Sequence, residues 1–189
     1  MTLDQILQQC ARNTYNSKVM IRSAAGYTGK GLEYVERFID SINAIMHKTA
    51  REHWAPSTEA VMTLDEYGRF DTAGLTKTCI QVKRARANEL DYEFELDLMG
   101  IITVAELKDT DVTVAYDYLP PAMTLADLDE TIPFPERIVA ASVIYNYATF
   151  MFLYQEGTEY DTTRASPFLN AFNEEYSRVH SPSFQRRVQ

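Results

Sequence analysis

The chain has 189 residues, and 27 acidic side chains against 18 basic ones leave a formal charge of −9. A sequence pI near 4.8 excludes a protein whose main task is gripping nucleic-acid phosphates, and equally a polybasic membrane-surface binder, since both need surplus Lys and Arg. Apolar residues at 46% and aromatics at 12% exclude a disordered polymer, and the length suits one domain, or one with an inserted subdomain.

Thr2, with Leu3, Ile6, Leu7 and Cys10 behind it at helical spacing, predicts a capped short helix. The opening residues have neither the basic start nor the apolar stretch of a secretory leader, so none is expected. A loose stretch with three glycines, 15–31, precedes a long helix over about 32–53. Its apolar stripe is Leu32, Val35, Phe38, Ile39, Ile42, Ile45 and Met46, and Pro56 stops it. The period then changes from 3.6 to 2. A strand is expected at 61–64, another at 77–83, and a complete alternation over 89–98 predicts a half-buried antiparallel strand. Further strands are expected over 101–107 and 112–118, with Asp109 or Asp111 making the turn between them. Leu119-Pro120-Pro121 closes the β region and opens an acidic loop. Pro135 suits the first turn of a helix over about 136–155 that is apolar nearly all round. Ser166-Pro167 reads as the cap and first residue of a last helix to about 179. The residues from 180 to 189 form a tail without regular structure of its own. The expected class is α+β, a helical bundle with an inserted small antiparallel β-sandwich. The helical part covers about 1–56 and 133–179 and the insertion about 57–120, within a single domain.

No motif assigns a reaction, and an enzyme is not the expected reading. Gly26-Tyr-Thr-Gly29-Lys30-Gly31 departs from a phosphate loop, since Ala24 and Gly31 stand where the first glycine and the magnesium-binding hydroxyl belong, so it reads as a glycine loop before a helix. Cys10 and Cys79, 69 positions apart, match neither a disulfide framework nor a zinc site. His47, His53 and His180 lack metal spacing, so no cofactor or metal is implied. Glu89, Asp91, Glu93, Glu95 and Asp97 make one acidic face, which either binds a cation or is solvated and paired with Lys77 and Lys83. Lys83-Arg84-x-Arg86 is expected to pair with the acidic strand beside it. In the tail, Phe184 with Arg186 and Arg187 makes a candidate docking peptide. The 18 uncharged residues 138–155 approach the length of a membrane span, but Ser142, Asn146, Thr149 and Gln155 and the absence of a flanking basic cluster favour a buried or interfacial helix. A helix with apolar residues on several sides must be covered by more protein. Ile138, Tyr145, Tyr147, Phe150 and Phe152 are therefore candidates for the helical core or a subunit contact, pointing to an assembly component.

Three stretches carry a resemblance. Asp111-Val-Thr-Val-Ala-Tyr116-Asp-Tyr118 runs into Leu119-Pro120-Pro121; Pro133-Phe134-Pro135-Glu136 opens a Tyr- and Ala-rich helix; and Ser166-Pro167-Phe168-Leu169 leads into the last helix. This order, behind a long N-terminal helix and a β insertion, resembles the head-tail connector (adaptor) proteins of tailed bacteriophages, with Phe134 and an extra proline as departures. The resemblance spans 32–179 in architecture and about 70 residues in pattern. It implies a virion protein of the neck, present in the host cytoplasm during assembly: a ring of about twelve copies beneath the portal, forming part of the DNA channel. The implied partners are other copies of itself, the portal through about 166–189, the next neck or tail protein, and passing DNA without sequence-specific contacts, with no membrane. A stopper or tail-completion protein is the near alternative. A small enzyme or ligand-binding domain using the acidic face is the alternative of a different class.

Overall fold

In the computed structural model, which describes residues 1–135, 138–156 and 159–179, helices α1 (Leu3–Asn13) and α2 (Gly29–Glu52) open the chain. α1 starts where a capping box fixes it: Thr2 Oγ1 accepts from the Gln5 N–H at 3.3 Å, and Gln5 Oε1 accepts from the Thr2 N–H at 2.9 Å. Seven strands follow: β1 (Ser57–Thr63), β2 (Arg69–Asp71), β3 (Cys79–Ala87), β4 (Leu90–Tyr92), β5 (Glu95–Leu96), β6 (Ile101–Thr103) and β7 (Asp111–Tyr118). Helices α3 (Ala141–Glu156) and α4 (Glu159–Val179) complete the described chain. The molecule is mixed α and β, and it divides into two compact units. One is Met1–His53 with Pro121–Gln189, the other Trp54–Pro120.

The helical unit is built on apolar stripes. α1 buries Leu3, Ile6, Leu7 and Cys10, and α2 buries Val35, Phe38, Ile42, Ile45 and Met46. α3 supplies Phe152, stacked on Phe38 with ring centroids 4.4 Å apart and edge-on to Tyr34 at 5.0 Å. α4 adds Phe172 and Tyr176, stacked on each other at 4.9 Å.

Two helix boundaries differ from the sequence reading. α4 does not begin at Ser166-Pro167; it begins seven residues earlier at Glu159 and carries Pro167 inside it. A proline there forgoes one helical hydrogen bond and crowds the carbonyl four residues back. The Ser166 hydroxyl donates to the Thr162 carbonyl oxygen at 3.3 Å, and buried Ala165 and Phe172 on either side hold the helix by packing. α3 begins at Ala141, later than expected. Ahead of it, the Ile138 and Val139 N–H groups both donate to the Pro135 carbonyl, so Pro135 heads a turn. That turn buries both Ile138 and Val139, neighbours that a helix would aim about 100° apart. Glu136 lies outside the described residues.

The β unit has two antiparallel sheets, one ordered β1-β7-β3-β4 and the other β2-β6-β5. β1 and β7 pair along their whole length, Ser57 opposite Asp117 through Thr63 opposite Asp111. Val82, Ala85, Val112, Val114 and Tyr116 from the first sheet and Phe70 and Ile102 from the second belong to one buried cluster. The expected strand over 89–98 does not exist as one strand. Ala87 pairs with Leu90, leaving Asn88 and Glu89 as a two-residue hairpin loop with φ of 48° and 66°, the geometry whose twist suits a hairpin. The chain pairs with β3 through β4, then leaves that sheet and joins the other through β5. Leu90, Leu96 and Leu98 are consequently exposed, and of the expected apolar face only Tyr92 and Phe94 pack against the core.

Two aspartates set two of the other turns. Asp65 Oδ1 accepts from the N–H groups of Tyr67 and Arg69, and Asp97 Oδ1 from those of Met99 and Ile101. The first of these turns launches β2, too short to show a period and absent from the sequence reading. The strand expected over 101–107 ends at Thr103, because the Leu107 N–H donates to the Val104 carbonyl and closes a turn there. Between β6 and β7 it is Asp109, at φ 47°, that makes the turn, while Asp111 accepts from the Thr63 hydroxyl across the strands at 2.6 Å.

Candidate functional site

α3 presents the apolar surface that the sequence singled out, and its residues divide. Phe152 is core at 2% exposure, and Ile138 is buried in the preceding turn, outside the helix. Tyr145 and Tyr147 are half-buried, which raises both hydroxyls' pKa, and Tyr147 packs on Phe172 at 5.1 Å. Phe150 meets Tyr154 at 5.6 Å, and Tyr154 is 58% exposed. α3 is thus buried along the Phe152 side and leaves Tyr154 at the surface, next to half-buried Phe150. No helix among the described residues is long and apolar enough to cross a membrane. Phe184, Arg186 and Arg187 lie outside the described residues.

The five acidic residues do not form one face. Glu89 sits in the hairpin loop, Asp91 lies 3.5 Å from Arg86 and 3.7 Å from Arg84, and Asp97 caps its own turn. Glu93 and Glu95, with Glu106, Phe94, Thr103 and Ala105, line a cleft of about 250 Å³. Among the described residues no three His, Cys, Asp or Glu side chains come together as metal ligands. The basic run does pair: Lys83 with Asp117 at 2.8 Å, Arg84 with Glu59 at 3.1 Å, and Arg84 and Arg86 with Asp91. Two of these four pairs use β7 and β1, and the other two use Asp91 of β4, the acidic segment beside the run. Lys77 pairs with no acidic-strand carboxylate among the described residues; it lies over the Tyr118 ring at 3.8 Å.

The thiols are poorly suited to nucleophilic work. Burial pushes Cys10 up to about 12, and burial likewise raises Cys79. His53 packs on Tyr176 at 4.6 Å with Glu52 beside it at 3.7 Å, and the Tyr176 hydroxyl donates to Glu52 at 2.9 Å.

The connection between α1 and α2 is more organised than its glycines suggested. Met20 and Tyr27 are buried inside it, and the Tyr27 hydroxyl donates to Asp4 at 2.7 Å while accepting from Gln8 at 2.9 Å. Burial, then the Asp4 hydrogen bond, raises the Tyr27 pKa. Arg22 holds Asp129 with two hydrogen bonds, at 2.8 and 3.0 Å, and these keep the Asp129 carboxyl below its usual range. A Cβ on Gly31 would stand 2.4 Å from the Val19 carbonyl oxygen, so α2 meets this connection as closely as backbone allows. On the outside, Tyr15, Val19 and Ile21 are exposed. Sequence reading passed over these residues, although a signal was present: residues 5–32 hold Arg12, Lys18, Arg22 and Lys30 and not one carboxylate. No protein-family model matches the chain, and no curated protein matches it.

Proposed function

We propose that this chain is a structural virion protein of a tailed bacteriophage, the head-to-tail adaptor that forms a ring beneath the portal. The observation that carries this reading is the arrangement of a helical unit built from both ends of the chain, with a β unit inserted between α2 and α3. It joins the Tyr-rich strand ending in Leu119-Pro120, the proline-marked lead into α3, and the last helix, in the order by which the sequence resembles that family. Two antiparallel sheets sharing one buried cluster accord with an inserted sandwich, and stacked aromatics from α2 and α3 with a bundle.

The mechanism is mechanical. A head-to-tail contact that closes by rotation makes a ring, and Tyr154 on α3 offers it apolar surface. A ring of about twelve copies, each at −9, carries roughly −108, and an acidic channel wall would repel phosphate and let DNA slide. The test is to mix the purified chain with portal rings and read stoichiometry by native mass spectrometry and electron microscopy. A ring capping the portal is expected. A chain that never joins portal under any condition overturns the reading.

A further inference from the structure

The outer surface of the α1–α2 connection combines three exposed apolar side chains with uncommitted positive charge. Tyr15 is 82% exposed, Ile21 66% and Val19 42%, while their neighbour Met20 is 1% exposed. A loop pinned from inside by Met20 and Tyr27, and by Arg22 on Asp129, presents its outer side chains in a fixed arrangement, so a partner meets little ordering cost. Arg12 and Lys18 flank the apolar residues, both exposed and in no ion pair among the described residues. The segment 5–32 carries four cations and no carboxylate against a whole-chain charge of −9, which leaves the rest of the chain at −13.

We propose that this connection is a self-association surface whose occupant is a second copy of the same chain, an assignment that rests on the ring reading and names its contact. Charge complementarity selects the occupant. Glu33, Glu36 and Asp40 share one face of α2, all exposed and in no ion pair among the described residues. The same helical unit thus offers a basic apolar ridge and, along α2, a row of three exposed carboxylates with Lys30 and Arg37 beside Glu33. Two different patches joined between copies give a head-to-tail contact, the kind that generates rings. The aliphatic residues argue against nucleic acid as the occupant: Val19 and Ile21 give a phosphate backbone nothing, whereas a protein surface buries them behind a rim of charge pairs.

The test measures self-association of the full chain by sedimentation velocity, and occupancy on portal rings by native mass spectrometry. Arg12→Glu with Lys18→Glu, and separately Ile21→Ser, should each weaken association about tenfold or more with unchanged circular dichroism. Adding Glu33→Lys and Glu36→Lys to the double charge variant should restore it. Full portal occupancy by the wild type, undiminished in these variants, overturns this contact and leaves the adaptor reading standing. Self-association with rescue by the charge swap, but no portal binding, upholds the contact and ends the adaptor reading. A wild type that is monomeric alone and on portal overturns both.

Discussion

Replacing Phe152 by Ala tests whether α3 has one buried and one free side. The Phe152 ring stacks on Phe38 at 4.4 Å, meets Tyr34 edge-on at 5.0 Å, and lies beneath the Arg37 guanidinium at 4.4 Å. A phenylalanine side chain removes about 150 Å² from water, worth about 4 kcal/mol at 25 cal/mol per Å². Truncation inside a packed core falls in the same range, about 3–5 kcal/mol. Against the roughly 5–15 kcal/mol of a typical domain, about 4 kcal/mol is a quarter or more of the stability. In urea titration followed by far-UV ellipticity, a slope of about 2 kcal/mol per molar turns this loss into a midpoint about 2 M lower. Tyr154→Ala, two residues along at 58% exposure, should lower stability by less than about 0.5 kcal/mol while weakening assembly on portal. A loss under about 1.5 kcal/mol for Phe152→Ala, or an equal loss for the two variants, refutes the division of this helix into buried and free sides.

Gly68 stands at φ +74° with Val104 and Leu107 carbonyl oxygens 2.5 and 2.4 Å from where a Cβ would be. Gly68→Ala should therefore cost the β unit about 2–4 kcal/mol in urea titration. Gly26→Ala, at φ +94° in open space, should cost the helical unit only about 1 kcal/mol. Cys10 has a folded-state pKa near 12 against an ordinary 9.0, so its contribution is fully present below pH 9.0 and is lost as pH rises toward 12. Three pKa units correspond to roughly 4 kcal/mol, and Cys10→Ala should flatten the alkaline fall in stability; an unchanged fall would exclude the thiol as its source. The opposite sign holds at Asp129: its depressed pKa gives stability present above the ordinary 3.8 and lost on acidification, so Asp129→Asn should shrink the drop between neutral and acidic pH in thermal melts.

The sequence disclosed most where one period runs unbroken and its residues face one way. α1 with its Thr2 cap, the α2 stripe and β7 follow local pattern, and the structure places them within a few residues of the expected ranges. Alternation over 89–98 misled because period alone cannot register two left-handed residues at its start or a change of sheet at its centre. Asn88-Glu89 forms a loop normally written with glycine, so the usual sign of that turn is missing. Pro167 misled in the other direction: it is an excellent helix start in isolation, and only packing on both sides of it keeps α4 continuous. Of the site, the sequence marked α3 but could not tell Phe152 from Tyr154. Tyr15, Val19 and Ile21 were invisible because exposure inside a loop has no period.

A net charge of −9 opposes self-assembly, and the segment 5–32 favours it, so ionic strength separates the two effects by distance. Repulsion between whole copies acts over the size of the molecule and is screened once the Debye length falls to about 10 Å, near 0.1 M salt. Contacts between Arg12 or Lys18 and carboxylates of a neighbour act at about 3–4 Å and weaken only at higher salt. Association should therefore strengthen from low to intermediate salt and weaken again near 1 M, and the Arg12→Glu, Lys18→Glu variant should lose the optimum. Strengthening that continues at every salt concentration would assign the contact to apolar side chains such as Tyr15, Val19 and Ile21, with no part for the cations. In that case the acidic composition could still keep DNA sliding, but it would not explain which surface of one copy meets the next.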